Sequence, residues 1–182
     1  MWKVFFALVL LLVSSIVTGC VGSTGGLQSY VNAKGGYQFL YPNGWTRVEV
    51  KKSAGVDVVF HDIIETTENV SVIINPVTDN KTLADLGTPT EVGYRLLKNH
   101  SLNPALDKEV DLIRAESRQQ NGQEYYLLEY QVKFPDDRER HNLASVTARN
   151  GKLYSFNLST SQKRWAKVHE LFETIVDSFS VT

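Results

Sequence analysis

The sequence predicts an α+β fold, a central antiparallel β-sheet flanked by helices as an α/β/α sandwich. Three observations carry this. Runs rich in β-branched and aromatic residues outnumber helical patterns. Two Asn-Gly dipeptides, Asn121-Gly122 and Asn150-Gly151, sit between such runs as hairpin turns do. The helical patterns are apolar on one side only, so each needs a sheet face to cover.

The elements follow in order. Tyr37 to Tyr41 alternates as a short strand does, and Pro42-Asn43-Gly44 turns the chain into Trp45. Val56 to Phe60 and Val70 to Val77 are β-branched runs, the second interrupted by Pro76. Thr88-Pro89-Thr90-Glu91 is a helix start: Thr88 caps, Pro89 suits the first helical position, and Glu91 closes a capping box. That helix should run to about Asn99 and bury Val92, Leu96 and Leu97. Val110 to Ser117, Tyr125 to Val132, Asn142 to Arg149 and Lys152 to Leu158 read as a meander, hence antiparallel. From about Ser161 to Phe179, Trp165, Val168, Phe172, Ile175, Val176 and Phe179 recur at helical steps.

Ahead of this domain stands a leader. Lys3 supplies a positive start, Val4 to Val13 is uncharged and apolar, and small residues follow. The run is short of the roughly 20 apolar residues of a spanning helix and reads as a secretory signal over residues 1–19. Cys20 is the only cysteine, so no disulfide within the chain is available to it. Val17-Thr18-Gly19-Cys20 resembles the bacterial lipobox, which implies that Cys20 becomes a lipidated N-terminus. Residues 20–36, rich in Gly and small polar residues, are expected to form a flexible tether with a reach on the order of 20 Å. Residues 37–182 remain as one domain. The formal net charge of −1 offers no basic field for nucleic acid.

Chemistry is sparse. The four histidines, His61, His100, His141 and His169, show no zinc-type spacing. His61-Asp62 closes a strand and reads either as a solvated strand end or as two ligands of a surface metal. His100 ends the first helix and His169 borders the apolar face of the last one. Asp136-Asp137-Arg138-Glu139-Arg140-His141 is the densest charged stretch, either a solvated loop or a docking loop for a partner's charges. Motifs of nucleophile elbows and phosphate-binding loops are absent from the sequence.

Six stretches in this order resemble the PsbP family, extrinsic lumenal proteins of photosystem II. They are Gly36 to Trp45, Asn69 to Val72, Leu86 to Pro89, Asn150 to Tyr154, Lys163-Arg164-Trp165 and Ser178 to Val181. With the lipobox, the chain is similar to the cyanobacterial lipoprotein form. The resemblance implies a non-enzymatic protein with no required cofactor, on the lumenal side of the thylakoid membrane, with photosystem II subunits as partners. It implies assistance in assembly or stability of the complex, or calcium and chloride retention at the oxygen-evolving site. Lys163 and Arg164 join Asp136, Asp137, Arg138 and Arg140 as docking candidates. Plant members bind metal through a histidine matching His141 and an aspartate just before Lys-Arg-Trp. Here that second position is Gln162, a weaker ligand than a carboxylate for a divalent cation. A lipid-anchored protein binding a small ligand or a metal (calcium, zinc or manganese) through His141, His61 or Asp62 is the alternative reading.

Overall fold

The computed structural model describes residues 26–50, 55–101 and 108–182; the leader, Cys20 and the first residues of the tether lie outside them. The strands are β1 (Leu27–Asn32), β2 (Tyr37–Pro42), β3 (Trp45–Val48), β4 (Val56–Asp62), β5 (Asn69–Pro76), β6 (Glu109–Gln120), β7 (Gln123–Lys133), β8 (Glu139–Arg149), β9 (Lys152–Ser161) and β10 (Ser180–Val181). The α-helices are α1 (Leu83–Leu86), α2 (Pro89–Ser101) and α3 (Trp165–Asp177). Seven strands form one sheet in the order β3-β4-β5-β9-β8-β7-β6, and β1-β2-β10 form a second. All pairings are antiparallel. Both Asn-Gly turns close two-residue hairpins, with Asn121, Gly122, Asn150 and Gly151 all left-handed as the turn requires.

Alternation along the strands divides the core in two. On one face Tyr125, Leu127, Leu143, Phe156, Leu158, Val70 and Val72 meet α3 through Val168, Phe172, Ile175 and Val176. Tyr37 and Phe39 of the small sheet complete that layer, with Phe39 and Phe179 each 4.7 Å from the Phe156 ring. Burying side chains of this size contributes roughly 1.5–3 kcal/mol each. On the other face Tyr126, Leu128, Ala144 and Val146 meet Leu83 of α1 and Val92 of α2.

Two expectations are corrected. Helices alone do not flank the sheet, because one face is shared between α3 and the three-stranded sheet. The tether does not extend to Gly36, because Leu27–Asn32 is a strand paired along its length with β2. Its residues look polar, yet Leu27 and Tyr30 lie against the aromatic core. Asn32 closes the hairpin by accepting the Gly35 N–H at 2.7 Å and also donates to Asp57 of β4 at 2.8 Å. The Thr88–Glu91 capping box forms as its spacing predicts, with reciprocal bonds of 2.8 and 3.3 Å. The last helix starts later than expected, after a 3-10 turn at Gln162–Arg164.

Candidate functional site at one end of the sheet

The face that carries the aromatic core becomes polar at one end. Following the alternation, Leu127 is succeeded by Glu129 and Gln131 on β7, and Leu143 is preceded by His141 on β8. Register sets Gln131 opposite His141, and His141 opposite Thr160 of β9. Trp165, the first residue of α3, covers this spot with its ring stacked on His141 at 3.7 Å and 11°.

His141 is 2% exposed, so its polar atoms need partners inside the protein. Nε2 stands 2.8 Å from Glu129 Oε1 and Nδ1 stands 2.9 Å from Gln162 Oε1. Gln131 Nε2 donates to the same Gln162 oxygen at 3.0 Å. Arg114 Nε donates to Glu129 Oε2 at 3.1 Å, and its Nη2 donates to Glu173 of α3. Burial pulls the Arg114 guanidinium down, but the bond to Glu173 and the nearby carboxylates outweigh it and hold its pKa above the usual value. His169 Nε2 approaches Glu173 at 3.3 Å. Three strands, the Gln162 turn and α3 thus converge on one polar chain whose buried centre, His141, lies under an indole.

That arrangement does not fit the metal implied by the resemblance. Both His141 nitrogens are at hydrogen-bond distance from protein oxygens, and Gln162 offers an amide already bonded to the ring. A cation would have to break both bonds in a site closed to solvent, with no carboxylate at Gln162. His61 and Asp62 do not join it. They lie on β4, three strand spacings from β8, or about 14 Å. Neighbours on a strand, they point to opposite faces, so they do not converge on one ion either. Asp62 instead builds a turn, accepting the N–H groups of Ile64 at 2.7 Å and Glu65 at 3.1 Å, and these bonds hold its carboxyl below the usual range. Among the described residues no group of three His, Cys, Asp or Glu is placed to hold a metal.

The docking candidates divide into free and committed groups. Thr67, Phe134, Asp137, Arg138, Arg140 and Lys163 are among those lining a cleft of about 360 Å³, which Gln162 of the His141 network also borders. Arg138 pairs with Asp136 at 2.6 Å and covers the Phe134 ring, and Asp137 turns the chain in a left-handed conformation. Arg140 is half-buried, its pKa lowered by burial, and it braces Thr67 O and Ser159 Oγ. Arg164 binds Glu68 at 2.5 Å and Glu65 at 3.1 Å. Arg140 and Arg164 are therefore struts, whereas Asp136, Asp137, Arg138 and Lys163 form the exposed set. Glu129, Arg114 and Glu68 are site residues that motif reading misses. For Glu129 the signal is a polar residue continuing the apolar row of β7, legible only once the register is known.

Among the described residues, two packed antiparallel sheets with three α-helices make an α+β domain with a charged end and a buried histidine network. The PsbP family profile matches residues 25–181, and the chain belongs to this family. It is 52% identical over 176 residues to CyanoP of Synechocystis sp., covering 96% of this chain and 94% of that one. It is 47% identical over 181 residues to CyanoP of Thermosynechococcus vestitus, covering 97% of each. The solution structure of the Synechocystis protein superposes with a TM-score of 0.77 over 91% of this chain and 99% of that one. The profile begins before β1, in agreement with the placement of Leu27–Asn32 inside the domain.

Proposed function

We propose that this protein is a non-enzymatic accessory protein of photosystem II. In this reading it is held on the lumenal side of the thylakoid membrane by lipid on Cys20 and assists assembly or stability of the complex. Membership of the PsbP family over residues 25–181 is the observation that carries the reading. The closed His141 network favours assembly over calcium or chloride retention, because it offers no open ligand to an ion. Asp136, Asp137, Arg138 and Lys163, beside the cleft, are the surface offered to a partner's charges. Affinity purification of the tagged full chain from thylakoids in mild detergent tests this. Recovery of photosystem II subunits is expected, weakened by charge reversal at Arg138 and Lys163. Recovery of none overturns the reading. In the same preparation Cys20→Ala should abolish fatty-acid labelling and release the protein from membranes.

A further inference from the structure

Six large apolar side chains are exposed among the described residues, and four of them, Val31, Tyr94, Ile113 and Leu171, stand singly. The other two are adjacent, Ile63 at 62% and Ile64 at 84% exposure, at the tip of the β4–β5 connection. Scattered apolar residues on a surface need no explanation, but a projecting pair held rigid does.

The loop is held from behind. Asp62 Oδ1 accepts two of its N–H groups, and Asp62 N–H bonds to Glu68 O at 3.0 Å. Glu68 N–H closes a turn on Glu65 O at 2.7 Å. Arg164 ties Glu65 and Glu68 to the start of α3, and Arg140 ties Thr67 O to β8. Its acids are thus bonded inward, leaving Ile63 and Ile64 exposed beside Thr66.

The position of the loop says what it meets. Gly26, the first described residue, accepts the Asn43 N–H at 2.7 Å. Two residues on, Trp45 pairs with Asp62, the residue before Ile63. The chain therefore enters the domain at the end where the isoleucines project. From Cys20 to Gly26 is six residue steps, at most about 20 Å when fully extended. We propose that the Ile63–Ile64 loop inserts into the headgroup–acyl boundary of the bilayer beside the lipidated N-terminus. It gives the tethered domain a second membrane contact and a fixed orientation. The inference rests on the proposed lipidation of Cys20. Side chains at an interface bury about 5–10 Å deep, a depth this tether allows.

The test uses the lipidated full chain in neutral phosphatidylcholine vesicles. A polarity-sensitive fluorophore is placed on the single free thiol of Ile64→Cys, of Ile63→Cys, or of Gln119→Cys at the opposite end. The expected result is flotation with the vesicles, with a blue shift and a several-fold rise in emission at 63 and 64. Lipid-borne spin labels should quench those positions and leave 119 unchanged. Flotation with positions 63 and 64 as aqueous as 119 overturns the inference while the anchor stands. A shift that appears only when photosystem II particles are added overturns it in favour of a protein contact. A chain that does not float removes the anchor reading and the inference with it.

Discussion

The two ends of the seven-stranded sheet are built by different means. At one end the hairpins close on Asn121-Gly122 and Asn150-Gly151, two-residue turns in left-handed conformation, with Gln123 donating to Thr147 and Ala148 behind them. At the other end, the 62–68 loop, the Phe134–Arg138 turn and the Ser161–Arg164 corner are held by side chains. There Glu68, His141, Asn142, Ser159 and Thr160 are buried polar residues, each in need of a partner. A fold that needed only closure would use the first solution twice. The longer connections at the second end, braced by Arg140, Arg164 and Asp62, hold two surfaces in fixed positions, the charged turn and the isoleucine tip.

The largest expected effect falls on the scaffolded end. His141→Ala removes a ring stacked beneath Trp165, leaves Glu129 Oε1 unbonded and reduces Gln162 Oε1 to its bond from Gln131, so denaturant unfolding should show a loss of about 3–4 kcal/mol. A loss below ~1 kcal/mol would place the site outside the structural framework and reopen it to ligands. At the turn-built end the cost should be smaller. Gly151→Ala puts a Cβ at φ +71°, 2.9 Å from Asn80 Oδ1, and should cost about 1–2 kcal/mol by the same measurement. The smallest effect belongs to the tip. The I63S/I64S double variant should leave stability within about 0.5 kcal/mol of the parent, since both side chains already face solvent. A larger loss would mean that the pair serves folding rather than contact.

Much of the fold was legible in local pattern. The capping box at Thr88 and the two Asn-Gly turns state their geometry in three or four residues. β1 was not legible, because Leu27–Asn32 contains few apolar residues and half its surface is covered by a strand ten positions later. β3 and β10 are too short for alternation to register. The site was legible in part. His141 came from a resemblance, while Glu129 and Arg114 lie 12 and 15 residues apart along the chain from their partners and meet only through strand pairing. Arg140 and Arg164 look like docking charges in sequence; the carbonyl, hydroxyl and carboxylates that occupy them are visible only in space.

One detail of the small sheet bears on timing. β10 pairs Ser180 and Val181 with Gln38 and Tyr37, and the Val181 N–H bonds to Tyr125 Oη at 3.1 Å. β2 is among the first strands made and its second neighbour is the last. Roughly 140 residues separate them, about 7–30 seconds of synthesis. During that interval β2 keeps an open edge, and the aromatic layer beneath it lacks Phe179. The small sheet therefore cannot close until Ser180 and Val181 have been made.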